Sequence, residues 1–177
     1  MSEASDRRPD STEYAPYYET YVGQVPDGPI VDTLLAQGER LVKAWRAMPA
    51  AARGFRYAEG KWTVEEVLGH VVDIERVFSH RAMWFLRGIP AEQPGVDQDV
   101  MVPNADSNAR GIESLCVEFE SLRRSNVELF RGLSDARLDV RGRASGVEFS
   151  VRGTAFVLCG HAEHHARVLE ERYLTAL

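Results

Sequence analysis

The chain has 177 residues and a net charge of −6, with a pI near 5.4, so it offers no general attraction to nucleic-acid phosphates or anionic membrane surfaces. Hydrophobic residues make up 44% and charged residues 27%, the balance of one soluble domain large enough to bury a core without staples. Its two cysteines, Cys116 and Cys159, stand far apart in no ligand-like spacing, which argues against a disulfide framework or a Cys-rich zinc site and fits a reducing cytoplasm.

The N-terminal stretch lacks the apolar core of a signal peptide. No segment approaches the run of about 20 apolar residues needed to span a bilayer. Residues 1–13 are polar and read as a flexible tail before a single domain over 14–177. APYYETYVGQVPDGPI (15–30) reads as extended or turn-like, with aromatics expected to strap onto the domain surface.

Four segments of helical period follow. Pro29 opens the first, where its missing N–H costs nothing; Val31, Leu34, Leu35, Gly38, Leu41, Val42, Trp45 and Met48 share one face, and Pro49 ends the run. The second starts at TVEE, with Thr63 as N-cap and Glu66 placed to close a capping box; its stripe runs from Val64 to Phe85, and Gly88 stops it. A third spans about Gly111 to Leu133, and a fourth starts near Ser150. Between the second and third lies GIPAEQPGVDQDVMVPNADSNA, longer than compact domains use without a functional reason. RGRASGVEFS, before the fourth helix, reads as a small turn or hairpin around Ser145-Gly146. The fold class is therefore all-α, a four-helix bundle whose long loop is a crossover.

The fourth helix carries the chemistry. His161 and His165 are one turn apart and fall on the apolar stripe of Val157, Leu158, Val168 and Leu169. His70, with Val67 at i−3 and Ile74 at i+4, points inward from the second helix. A buried imidazole needs partners for both nitrogens. Taken singly, each of these histidines fits a satisfied core residue; taken together, they also fit one divalent metal that accepts a lone pair from each ring. Asp73, at i+3 from His70, is a candidate acceptor for the other ring nitrogen. Asn126, polar on an inner stripe, is a second weak candidate, as an orienting amide or a core one.

Other histidine chemistries do not fit. A zincin helix needs Glu after the first His, where Ala162 stands. HAE at 161–163 starts like a zinc deaminase motif, but no Pro-Cys-x-x-Cys follows. No histidine has the Glu three residues earlier that a di-iron bundle requires. His80 and His164 lie off the shared face and are set aside; Cys159 reads as a core thiol and Trp62 as a packing residue.

YVGQVPDGPIVDTLLAQ, YAEGKWTVEEVLGHVVDIERVFSHRA, PGVDQDVMVP and SVRGTAFVLCGHAEHHARVLEERYL together resemble the DinB-like superfamily, which includes YfiT-type metal hydrolases and thiol-dependent transferases. The resemblance covers most of the chain. It implies a down-up-up-down bundle, often a homodimer, and a divalent metal, commonly zinc or nickel, on His70, His161 and His165. It also implies a small-molecule substrate and, in the transferase relatives, a low-molecular-weight thiol. Ala166, Arg167 and Val168 stand where many members have Arg-Gly-Gln or similar, so pocket details do not carry over.

Three protein ligands leave a coordination position open, as catalytic sites do. The expected activity is thiol-dependent S-transfer or hydrolysis on a small molecule, with Asp73, Asp97 or Asp99 as the available acids. The alternative is a non-catalytic metal-binding stress protein.

Overall fold

Local signals set the ends of each long helix in the computed structural model, which describes residues 7–177. Helix α1 (Ile30–Arg46) starts after Pro29. Helix α2 (Val64–Leu86) opens on the expected capping box: the Glu66 N–H donates to Thr63 Oγ1 at 3.1 Å and the Thr63 N–H to Glu66 Oε2 at 2.7 Å. Helix α3 (Ser107–Phe130) is broken at Gly111, with φ 75° and ψ 165°, so its regular part begins there, as the sequence predicts. It ends at Phe130 rather than Leu133, and Gly132 follows at φ 71°. Helix α4 (Val151–Val168) is capped by Ser150 Oγ, which accepts from the Gly153 N–H at 2.8 Å, and runs into a π-helical turn, Leu169–Tyr173.

Strands β1 (Arg141–Ala144) and β2 (Val147–Ser150) form the small antiparallel hairpin. Ser145 and Gly146 sit at φ 55° and 78°, the left-handed pair that a two-residue hairpin turn requires.

The architecture is the all-α four-helix bundle. Helix α2 packs against both α3 and α4, while α1 packs mainly on α3 and less on α4. The crossover between α2 and α3 contains a short α-helix, Gln98–Met101, followed by a 3-10 turn, Val102–Asn104. Among the described residues, no helix is long and apolar enough to cross a membrane.

Two apolar clusters form the core. One gathers Leu34, Phe78, Phe85, Phe149 and Phe156; the other gathers Trp45, Leu68, Leu115, Phe119 and Tyr173. At their seam lies a buried polar network. Arg123 Nε and Nη2 reach the two Glu75 carboxylate oxygens at 2.8 and 2.9 Å, and Arg123 Nη1 donates to Gln37 Oε1 at 2.8 Å. Gln37 Nε2 in turn donates to the Cys159 carbonyl at 3.0 Å. Gly38 makes room for this arginine, since a Cβ there would lie 2.7 Å from Arg123 Cγ.

The N-terminal segment differs in part from its expected form. Of residues 15–30, read as extended or turn-like, Pro16–Tyr18 and Glu19–Val22 are short helices, while 23–28 are turns and bends as expected. Residues 7–13, expected in the loose tail, are tied down. Arg8 donates to the Val22 and Val25 carbonyls at 2.8 and 2.6 Å, and Glu13 is buried, accepting from Ser150 Oγ at 2.6 Å. A buried carboxylate with these partners anchors the chain where composition alone reads solvent. Residues 1–6 of that tail lie outside the described residues.

Candidate metal centre

Helix α2 carries His70 between Val67 and Ile74, all three buried, and α4 presents His161 and His165 one turn apart. The packing of α2 on α4 brings the three rings together. His70 Nε2 and His161 Nε2 stand 3.1 Å apart, and one ring nitrogen from each of the three residues lies within 4.8 Å of the others. Ring centroids are separated by 4.9, 4.9 and 4.5 Å.

Among the described residues, no carboxylate belongs to this cluster. Burial lowers the His70 pKa to about 4. Burial, then the neighbouring His70 and His164 rings, lowers that of His165 to about 3. His161 falls well below its ordinary value through burial and then its imidazole neighbours. All three rings are neutral at pH 7, and each has a lone pair to give.

The donor set fits a divalent ion. Two nitrogens that each sit about 2.0–2.1 Å from one ion lie roughly 3 Å apart, which the His70–His161 pair matches. The Nδ1 atoms of His70 and His165 are buried without a hydrogen-bond partner, a state that a packed apolar site disfavours.

The two weak candidates lie elsewhere. Asp73 does not bond His70, whose Nδ1 has no partner; it is half-buried, its pKa raised by burial, in the field of Arg76, Glu118 and Arg110. Asn126 is the core amide, donating through Nδ2 to Glu75 Oε1 at 2.9 Å inside the seam network. Cys159 is buried there too, its thiol pushed up to about 12 by burial. His80 stacks on Trp84 at 5.4 Å, and His164 faces Gln24.

Two clefts open on the imidazoles. One, of about 240 Å³, is lined by His70 and His161 with Tyr17, Tyr18, Tyr21 and Arg81. The other, of about 280 Å³, is lined by His165 with Tyr57, Lys61, Trp62, Asp99 and Tyr173. Gln98, from the short crossover helix, lines both. Asp97 only caps that helix, accepting from the Asp99 N–H at 2.9 Å, so Asp99 is the loop acid beside the site. A larger groove, of about 610 Å³ by Asp32, Arg40 and Glu163, touches none of the three imidazoles and contains the Arg40–Glu163 ion pair.

Sequence reasoning missed Tyr21 and Arg81. The Tyr21 ring stands edge-on to His161 at 5.3 Å and to His164 at 5.4 Å. It gets there because α4 lacks a side chain at Gly160, where a Cβ would lie 2.0 Å from the Tyr21 carbonyl oxygen. Gly153, two turns earlier, admits the Glu13 backbone in the same way, at 2.3 Å. The Gly-x₆-Gly spacing on one helix face was the available signal. Trp62, expected to pack, stands 4.9 Å from His70 and also walls the second cleft.

The solved structure of YfiT from Bacillus subtilis, described as a probable metal-dependent hydrolase with an unusual four-helix bundle topology, matches with a TM-score of 0.68 and 16% identity. The match covers 97% of this chain and 94% of that one. No curated protein matches this sequence. The DinB superfamily matches over residues 33–169, a span that includes all three imidazoles and the crossover, and the chain belongs to that superfamily.

Proposed function

We propose that this protein is a divalent-metal-dependent enzyme acting on a small molecule, with hydrolysis as the reaction the site supports best. One observation carries the reading: three neutral imidazoles converge at the junction of two clefts, and among the described residues no fourth His, Cys, Asp or Glu joins them. A structural zinc site is closed by four protein ligands; one that does chemistry keeps a position free. When bound, the ion would lower the pKa of coordinated water toward about 7, or hold a thiolate.

The chain's own residues supply the rest. His70, His161 and His165 would hold the ion. Tyr18 and Tyr21 line the first cleft. Asp99, beside His165, is the carboxylate placed to take a proton. Both clefts fall below about 300 Å³, the small end of ligand sites, which matches a small substrate. YfiT's description as a probable metal-dependent hydrolase supports the same reading.

The pair of clefts favours a second reading. Two separate approaches to one centre suit two reactants, as in transfer from a low-molecular-weight thiol. The test is metal analysis of purified wild-type protein and His161→Ala, followed by ester, amide and thiol-acceptor panels. About one zinc or nickel per wild-type chain, lost in the variant, with turnover of an ester or amide, supports hydrolysis. Turnover only with a thiol moves the reading to transfer. Equal metal content in both proteins overturns the site.

A further inference from the structure

Arg81 is 3% exposed, yet it is in no ion pair among the described residues. The other two most deeply buried arginines are compensated: Arg123 by Glu75, and Arg152 by Asp135 and Asp139. A guanidinium taken out of water without a counter-charge is costly. Its neighbours here are neutral. Nη2 donates to the Pro94 carbonyl at 3.0 Å and to Ser145 Oγ at 2.8 Å, the carbon CZ sits 4.9 Å over the Phe78 ring, and the Tyr18 hydroxyl lies against the group. The two Nη2 bonds and the hydrogen bond to Tyr18 use three of the five donors that a guanidinium carries.

The side chain also lines the cleft of His70 and His161. A cation, three tyrosines and the imidazoles of His70 and His161 thus line one small volume, in a protein whose net charge is −6. Long-range attraction does not bring an anion here, so any anion that binds is held by a local partner, and Arg81 is the cation in place.

We propose that Arg81 is an anion subsite of the cleft and that the substrate is a small molecule bearing a carboxylate, which the guanidinium fork binds while the rest of the molecule extends toward the imidazoles. The identification as a substrate rests on the proposed metal-dependent activity; carboxylate binding at Arg81 does not. Phe78 and Ile74 line the same cleft and suit an apolar body behind the carboxylate.

The test is an NMR titration of the full-length protein, stripped by chelator and again zinc-loaded, with benzoate and its neutral counterpart benzamide, following the arginine Nε–H resonances. Saturable movement of the Arg81 resonance with benzoate but not benzamide is expected. Affinity should fall at least tenfold in Arg81→Gln, and in Arg81→Lys, which keeps the charge and loses the fork. Binding should persist in the chelator-stripped protein, so a failed metal site leaves the subsite standing. Equal response to benzamide, affinity unchanged in Arg81→Gln, or no saturable movement of Arg81 in either form overturns the proposal. The wild-type titration decides even if the variants do not fold.

Discussion

His70 Nε2 and His161 Nε2 face each other at 3.1 Å across the α2–α4 interface, although 91 residues separate them in sequence. Two neutral rings at that distance are joined by at most one hydrogen bond, and a shared cation uses both lone pairs instead. Added zinc or nickel should therefore raise the melting temperature of chelator-stripped protein. The gain in stability is about 2.7 kcal/mol when free metal exceeds its dissociation constant a hundredfold. His70→Ala, His161→Ala and His165→Ala should each abolish the gain, while His164→Ala, outside the triad, retains it. A His70→Ala variant that still melts higher with metal would rule the triad out.

Acid should destabilise the metal-free protein through these same rings. An unfolded histidine titrates near 6.5, whereas burial holds folded His70 at about 4. Between these values the unfolded chain binds a proton that folded His70 refuses, so stability is full above 6.5 and falls as the pH drops, levelling below about 4. In urea unfolding with chelator present, His70→Gln should flatten the slope across this window. The reduction is up to one proton, about 1.4 kcal/mol per pH unit. Parallel pH profiles for the two proteins would refute this.

The seam network predicts an asymmetry. Glu75→Gln removes the charge facing Arg123 while preserving shape, and leaves a buried guanidinium uncompensated. The cost is about 3–5 kcal/mol, read from urea unfolding. Replacing both partners, as in Glu75→Leu with Arg123→Met, should cost less than Glu75→Gln alone, because no unpaired charge remains. A double variant as unstable as the sum of the two single ones would contradict this account.

The four helices are legible in sequence because each buries one face, so the 3.6-residue period shows, and because Thr63, Ser150 and Gly111 mark boundaries chemically. The inward set of His70 and His161 is visible for the same reason. The N-terminal strap was legible only as aromatics lying on the domain surface, not as helices. Helices of three and four residues are too short to show a period, and their place is fixed by backbone contacts at Gly153 and Gly160. Arg81 is not legible because a charged residue near the end of a long helix reads as solvated, whereas the hairpin, the crossover and Tyr18 fold over it and bury it.

Those two glycines give the last prediction. Gly160→Ala places a methyl 2.0 Å from the Tyr21 carbonyl, a backbone atom that cannot rotate away. The strap must shift, at about 1–3 kcal/mol for overpacking, and the Tyr21 ring must leave the edge of His161. Gly153→Ala strikes the same strap at Glu13 and should cost a similar amount. Once one methyl has lifted the segment, the second meets little resistance, so the double variant should lose clearly less than the two single losses combined. Thermal or urea unfolding measures the three values, and histidine ring resonances report Tyr21's departure. Full additivity, with those resonances unmoved in Gly160→Ala, would show that the strap is not one rigid element seated on α4.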